Sequence, residues 1–189
     1  YLAPDENPAE VLPLFEERLQ NSGINYQLNT TGVEQEDWQN GWKKYYHAMD
    51  IGDRLAIVPG WEDHQTDRIK IIMDPGMAFG TGTHEATNMC MQLLEKHLKS
   101  DMRVMDVGTG SGILAIAAAR LGAREVLAID IDPAAVKVAR ENIVLNHVED
   151  RVRAVEGDLC KSEAMPCDLA VANIVADAIR MLAAPLTRH

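Results

Sequence analysis

The sequence predicts an α/β protein whose main domain is a doubly wound, parallel sheet. Four short and nearly continuous apolar segments, typical of strands buried on both faces, occur at 104–107, 126–129, 152–155 and 169–172. The segments between them have the composition of helices. The first apolar segment runs into a glycine-rich turn and an alanine-rich helix, DVGTGSGILAIAAARLG. Strands and helices that alternate in this way place helices on both faces of a parallel sheet.

The N-terminal part of the chain does not follow this alternation. Residues 1–29 predict one helix, which begins near Asn7 and Pro8, and one strand. One helix and one strand cannot bury a core of their own, so we interpret them as the remnant of a larger N-terminal α+β domain. Residues 30–45 are polar apart from two tryptophans and predict a linker, and residues 46–189 form the main domain.

Within the main domain the remaining elements are predicted from periodicity and caps. Two further strands are expected at 55–58 and 69–73. Helices are expected at 84–99, 112–121 and 133–145. Thr83 is placed to cap the first helix, while Asp132 is the predicted N-cap of the third, with Pro133 as its first residue.

Charge limits the classes of partner. The formal net charge is −11, and residues 1–40 hold eight acidic residues and one basic residue. Binding dominated by nucleic-acid phosphates needs a basic surface, so we expect no direct nucleic-acid binding. The acidic first segment favours a basic protein partner, although solvated acidic faces that add solubility explain the same charge.

No apolar segment of membrane-spanning length and no signal peptide is recognised in the sequence, so we expect a cytoplasmic protein that does not bind membranes. The three cysteines lack C-x-x-C spacing, and the six histidines form no ligand pattern. The sequence therefore predicts no metal and reduced, mostly buried thiols.

The glycine turn after residues 104–107 is the predicted ligand site, since open α/β sheets bind ligands at the carboxyl ends of their strands. A dinucleotide fingerprint reads G-x-G-x-x-G, whereas Gly108, Gly110 and Gly112 give G-x-G-x-G, with Ile113 in place of the third glycine. A turn of this kind suits a ligand without phosphates, and S-adenosylmethionine is the predicted cofactor. A nicotinamide-dependent oxidoreductase and a non-catalytic cofactor-binding module are the less favoured alternatives.

Residues after the next two strands are candidate cofactor contacts. Asp130 is placed to accept hydrogen bonds from two ribose hydroxyl groups. Its alternative role is a helix N-cap, which Asp132 already fills. We include Ile131, the next residue, in the predicted cofactor-binding set. Asp158 is placed to accept a hydrogen bond from the adenine amino group, and a simple turn residue is an almost equal alternative.

Four segments, in this order and spacing, resemble the bacterial methyltransferase of large-subunit ribosomal protein eleven: DPGMAFGTGTHEAT (74–87), DVGTGSGILAIAA, LAIDIDP and VANIVA (171–176). The likeness covers about residues 33–184, and the first segment is the most specific. It implies a Rossmann-like class I methyltransferase sheet, preceded by a linker and by an N-terminal substrate-recognition domain of which residues 1–29 would be the remnant. It also implies that several methyl groups are transferred from S-adenosylmethionine to lysine side chains and to the N-terminal amine of that ribosomal protein.

The resemblance assigns roles to individual residues. It places four of them on the cofactor: Thr87, Gly108, Asp130 and Asn173. Gly110 joins them as a glycine that permits close approach, and residues 80–82 would form a loop near the sulfonium. Asn173 is the predicted catalytic residue, because its amide carbonyl could accept hydrogens of the acceptor amine and aim its lone pair. An ordinary helix N-cap is the alternative for Asn173, and we assign no general base.

The chain differs from that family in extent. It has one predicted helix and one predicted strand before the linker, and a class I sheet normally continues for three strands beyond the one at 169–172. We therefore expect a truncated sheet. A related enzyme that methylates another protein lysine or a small molecule stays an alternative, because most of the recognition domain is absent.

Overall fold

The computed structural model describes residues 47–74, 85–158, 166–175 and 180. The chain divides into two units, Tyr1–Gly41 and Trp42–His189, and every described residue belongs to the second unit. The helix, strand and linker expected within residues 1–45 lie outside the described part of the chain. Their boundaries therefore stay predictions.

A small mixed sheet comes first along the described chain. It contains β1 (Met49–Ile51), β2 (Leu55–Pro59) and β3 (Ile69–Met73) in that order. β1 is antiparallel to β2, and β2 is parallel to β3. The sequence predicted β2 and β3 but not β1, whose three residues are too few to carry a period. These two strands form a sheet separate from the later strands, a division that the sequence analysis did not predict.

The second sheet consists of four parallel strands: β4 (Arg103–Val107), β5 (Glu125–Asp130), β6 (Val152–Glu156) and β7 (Leu169–Ala172). Their order is β6-β5-β4-β7, and all neighbours are parallel. The sequence prediction is confirmed to within one residue at each strand end. The chain moves outward from β4 through β5 to β6 and then returns to the other side of β4. The strand order therefore reverses between β4 and β7, where such sheets bind ligands.

Three helices complete the described fold: α1 (Glu85–His97), α2 (Ile113–Leu121) and α3 (Pro133–Leu145). Asp132 caps α3 as predicted, since its side chain accepts a hydrogen bond from the Ala134 N–H at 2.8 Å. Gly112 is the N-cap of α2 rather than its first residue. The cap predicted at Thr83 lies outside the described residues. α1 ends at His97, two residues before the predicted end.

One apolar core joins the two sheets around α2. Eight of the nine α2 residues are buried. They share a cluster with Ile57 and Ile71 of the first sheet and with Val104 and Val126 of the second. The opposite face of the parallel sheet has a smaller buried cluster, which consists of Met105, Val107, Leu127 and Ile129. Burial on both faces explains why the parallel strands are apolar along nearly their whole length.

Within the described ranges, no helix has the length and apolar character needed to cross a membrane. In the same part of the chain, no three His, Cys, Asp or Glu side chains converge as a metal site would require. Cys90 and Cys167 are free thiols. They are half-buried rather than mostly buried, and burial raises the pKa of both. Cys160 lies outside the described residues.

Candidate functional site

The loop between β4 and α2 depends on glycine at three positions. The φ angles of Gly108, Gly110 and Gly112 are 71°, 54° and 84°, in the left-handed region that residues with a Cβ rarely adopt. At Gly108 a Cβ would also collide with Cγ2 of Ile174, which follows β7. The sequence prediction attributed this glycine to the approach of a ligand. The structure adds a second reason, the close packing of the segment after β7.

Asp106 anchors the glycine loop at the end of β4. Its side chain is fully buried, and Oδ2 accepts hydrogen bonds from the Thr109 hydroxyl at 2.6 Å and from the Ala115 N–H at 3.1 Å. Ala115 lies in the first turn of α2, whose N-cap Gly112 has no side chain to offer. Asp106 therefore satisfies a free N–H of the helix from outside it. Oδ1 has no hydrogen-bond partner among the described residues.

This burial alters the acid strength of Asp106. Loss of solvent raises the pKa of its carboxyl to about 6, and the hydrogen bonds from Thr109 and Ala115 oppose the rise. The negative charge of Asp130 adds a smaller increase to the pKa of Asp106. The sequence analysis assigned no role to Asp106. Its position within an apolar strand could have indicated a role, because a buried carboxylate needs hydrogen-bond partners.

Asp130 ends β5 and faces the glycine loop. Its Oδ2 accepts a hydrogen bond from the Gly110 N–H at 2.8 Å, and its Oδ1 accepts one from the Asp132 N–H at 3.0 Å. These two bonds give Asp130 a structural role that the sequence prediction did not include. A carboxylate has about four lone-pair positions, so acceptor capacity for ligand hydroxyl groups is still present.

Ile131 and Asp158 lie at the same edge of the parallel sheet. Ile131 directly follows Asp130, and its side chain is 74% exposed, which is unusual for a large apolar residue. Asp158 follows Gly157, whose N–H donates a hydrogen bond to the Asp130 carbonyl at 2.9 Å. The carboxyl ends of β5 and β6 thus bring these predicted residues next to Asp130.

Thr87 and Asn173 meet on the other side of the strand reversal. Asn173 follows β7, and its Nδ2 donates a hydrogen bond to Oγ1 of Thr87 at 3.0 Å. Thr87 lies in the first turn of α1 and is buried. The bond uses the Asn173 amide nitrogen and leaves its carbonyl oxygen as the acceptor group. The helix that Asn173 would cap under the alternative interpretation lies outside the described residues.

The predicted contacts therefore line one edge of the parallel sheet. Gly108, Gly110, Asp130, Ile131, Asp158 and Asn173 follow or end its four strands, and Thr87 reaches that edge from α1. The loop at 80–82 lies outside the described residues. A cavity of about 270 Å³ lies beside α3, and none of these predicted site residues lines it. Its lining residues are Asp74, Val138, Glu141, Asn142 and Leu145.

Comparison with known proteins decides the family. The whole chain, residues 1–189, matches the family model described as ribosomal protein L11 methyltransferase (PrmA). The chain belongs to this family. Its membership confirms the resemblance drawn from the sequence and the Rossmann-like α/β fold expected for it.

Individual relatives agree with this assignment. Two curated proteins described as ribosomal protein L11 methyltransferase, from Caldicellulosiruptor saccharolyticus and Acetivibrio thermocellus, are 46% and 48% identical to this chain over 97% and 95% of its length. The matches cover 62% and 59% of those proteins, so the chain spans about three-fifths of their length. A crystal structure of ribosomal protein L11 methylase from Lactobacillus delbrueckii subsp. bulgaricus is 42% identical, with a TM-score of 0.71 over 76% of this chain and 75% of that one.

Proposed function

We propose that this chain contains the cofactor-binding and catalytic residues of an S-adenosylmethionine-dependent protein methyltransferase. Its substrates are lysine side-chain amines and the N-terminal amine of ribosomal protein L11. The observation that carries the proposal is the Asn173–Thr87 hydrogen bond at the strand reversal. It holds an amide carbonyl beside the glycine loop, where an acceptor amine can be oriented. Membership of the family supports the same function.

The residues along the sheet edge fit the proposed cofactor. The remaining lone pairs of Asp130 suit ribose hydroxyl groups, and the exposed Ile131 side chain offers an apolar surface for a flat adenine ring. Asp158 and the left-handed glycines at 108 and 110 complete the contacts that we propose. When bound, S-adenosylmethionine supplies a methyl group activated by a sulfonium.

Positioning is the main task of the protein in this reaction. Methyl transfer to an amine neutralises the sulfonium and develops no oxyanion, so alignment of the amine contributes most of the catalysis. A free lysine has a pKa of about 10.4 and must lose its proton to attack. The Asn173 carbonyl can accept an N–H of the neutral amine and direct its lone pair. A dry pocket would favour that neutral form.

The charge of the chain is compatible with a basic protein substrate. Its formal net charge is −11, which favours encounter with a positively charged protein and disfavours phosphate backbones. We propose ribosomal protein L11 as the partner and the cytoplasm as the location, with no direct contact to nucleic acid or membrane.

The cofactor part of the proposal is tested by calorimetry. We expect S-adenosylmethionine to bind and NADH not to bind. Asp130→Ala should weaken S-adenosylmethionine binding by about 1–3 kcal/mol, because hydrogen bonds to a charged acceptor are lost. Asp132→Ala is the matched control, since it removes the same charge two residues away and an α3 cap rather than a proposed ligand contact. Equal affinities in the wild type and Asp130→Ala would remove Asp130 from the binding site.

Asp130 also holds the glycine loop, so a ligand analogue must separate the two roles. The 2′-deoxy form of S-adenosylhomocysteine lacks one ribose hydroxyl. We expect the wild type to bind this analogue more weakly than S-adenosylhomocysteine, and Asp130→Ala to bind both alike. If the variant still discriminates between the two ligands, Asp130 serves the loop and does not contact the ribose.

The catalytic part is tested by single-turnover methylation of isolated ribosomal protein L11 with the full-length enzyme. Asn173→Ala should lower the transfer rate by a larger factor than it lowers cofactor affinity, because the amide orients the amine mainly in the transition state. Thr87→Ser, which keeps the hydroxyl bonded to Asn173, should stay close to wild type. A destabilised Asn173→Ala protein with a normal rate would indicate a purely structural asparagine.

A further inference from the structure

Two buried asparagines lie one turn apart on α3. Asn142 is 1% exposed and Asn146 is fully buried, immediately beyond the helix end. Residues four apart share one face of a helix. A buried amide without partners destabilises a fold, so the partners of these two side chains define what each one does.

Asn146 connects α3 to the small mixed sheet. Its Oδ1 accepts the Ile72 N–H at 2.8 Å, and its Nδ2 donates to the Ile72 carbonyl at 2.6 Å. The amide thus occupies both main-chain groups of one residue of β3. A further bond runs from Nδ2 to the Asn142 carbonyl at 2.8 Å. None of these bonds reaches the glycine loop.

Asn142 has different partners. Its Nδ2 donates to the Ser111 carbonyl at 3.0 Å, and its Oδ1 accepts the Asp74 N–H at 3.2 Å. Ser111 lies in the glycine loop between Gly110 and Gly112. Asp74 directly follows β3 and begins the 74–87 motif, which ends at Thr87 of the candidate site. One buried amide therefore joins two of the sequence motifs that supply proposed cofactor contacts, the glycine loop and the 74–87 motif.

The glycine loop needs a restraint such as the Asn142–Ser111 hydrogen bond to keep a single conformation. Glycines on both sides of Ser111 permit many backbone conformations, and the loop must hold the Gly110 N–H on Asp130. α3 approaches the loop closely, because a Cβ at Gly112 would lie 3.2 Å from Cα of Ala139, almost one turn before Asn142. Asn142 is the α3 side chain that forms a hydrogen bond to the loop at this close contact.

We propose that Asn142 is a positioning residue for the cofactor site. It fixes the Ser111 carbonyl, and through it the adjoining Gly110 and Gly112 peptide groups, relative to the residue that follows β3. The inference rests on the proposed function, since it concerns the S-adenosylmethionine site. Asn142 acts through the loop and has no direct contact with the ligand in this scheme.

A comparison of Asn142→Ala with Asn146→Ala tests the proposal. Both variants lose a buried amide on the same helix face, and both should melt at a lower temperature. Asn142→Ala should weaken S-adenosylmethionine binding about tenfold, the equivalent of one hydrogen bond. In the unliganded protein it should also speed hydrogen exchange at the Gly110 and Gly112 amides. Asn146→Ala should leave both properties of the folded protein close to wild type.

Equal affinity losses in the two variants, or unchanged exchange at Gly110 and Gly112 in Asn142→Ala, would overturn the proposal. Faster exchange with unchanged affinity would overturn it as well. If Asn142→Ala does not fold, Asn142→Ser is measured instead, because a hydroxyl is too short to reach both partners. A wild type that binds no S-adenosylmethionine would refute the proposed function, while loop exchange would still report on Asn142.

Discussion

At the scale of single residues, the buried carboxyl of Asp106 links acidity to stability. Burial raises its pKa from 3.8 to about 6, so the folded protein holds a proton that the unfolded chain releases between these values. The contribution of this group to stability is complete below pH 3.8 and is lost as the pH rises through about 6. At neutral pH the fold therefore carries a buried negative charge, supported by Thr109 and Ala115.

Asp106→Asn should change the pH dependence of unfolding. The variant retains an oxygen for the Thr109 and Ala115 bonds but carries no charge. Its stability relative to wild type should rise by about 2 kcal/mol between pH 4 and pH 7.5, which is most of the free energy of a pKa shift of about two units. Urea denaturation of both proteins across this range measures the difference. A difference that stays constant with pH would mean that Asp106 titrates normally in the fold.

The sequence identified residues whose hydrogen-bond partners lie close along the chain. It missed residues whose hydrogen-bond partners are distant in sequence and are brought close by packing. Asp132 was recognisable as a cap because its partner, the Ala134 N–H, is two residues away. Asn142 was not recognisable, because its partner Asp74 is 68 residues away and is set by how α3 packs on β3. The structural bonds of Asp130 were missed for the same reason, since Gly110 lies 20 residues away.

At the scale of elements, His147 follows the C-terminal end of α3 in a backbone conformation that favours glycine. His147 has a φ of 53°, and its N–H donates to the Val144 carbonyl at 3.0 Å, while the Val148 N–H donates to the Ile143 carbonyl at 3.3 Å. This is a Schellman motif, whose left-handed residue is usually glycine. α2 has Gly122 at the equivalent position, with a φ of 111°.

His147→Gly should therefore stabilise the protein. Glycine adopts the left-handed conformation without the steric cost that a Cβ imposes, and the expected gain in the free energy of unfolding is about 1 kcal/mol. His147→Ala is the control, because it removes the ring and keeps the Cβ, and it should give no gain. Thermal melting of the three proteins measures the effect. Equal melting temperatures for the glycine and alanine variants would contradict the strain assigned to His147.

The bounds of helices and strands were predicted most accurately where the local sequence signals are strong. α3 was predicted at its observed bounds, Pro133–Leu145, because a cap and a proline mark its beginning. β1 was missed because its pairing with β2 is decided by the turn between them rather than by a pattern within Met49–Ile51. Short strands depend on their neighbours, which a one-dimensional pattern does not reveal.

At the scale of the whole described unit, α2 makes the two sheets depend on each other. It is buried on almost every side, and one apolar cluster contains its residues together with residues of β2, β3, β4 and β5. The sequence could not assign β2 and β3 to a separate sheet, because an apolar strand pattern shows that a strand is buried and not which strand lies beside it. The division into two sheets around one helix is a property of packing.

Ile116→Ala should weaken both sheets together. Ile116 is fully buried at the centre of α2, and truncation of such a residue costs about 2–5 kcal/mol. Hydrogen exchange at increasing urea concentrations should show the same loss of protection in β2 and in β5. Leu93→Ala on α1 is the control, since that side chain is 55% exposed and should change stability by less than about 0.5 kcal/mol. Loss of protection confined to one sheet would show that the sheets unfold independently.

The two halves of the candidate site differ in how far apart their residues lie along the chain. The Gly110–Asp130 bond spans 20 residues, and the Thr87–Asn173 bond spans 86. Closing the longer loop costs about 1 kcal/mol more chain entropy. Asn173 is also synthesised 43 residues after Asp130, a delay of about 2–9 s at ordinary rates of protein synthesis. A nascent chain therefore contains both partners of the Gly110–Asp130 bond for seconds before the asparagine of the Thr87–Asn173 bond has been made.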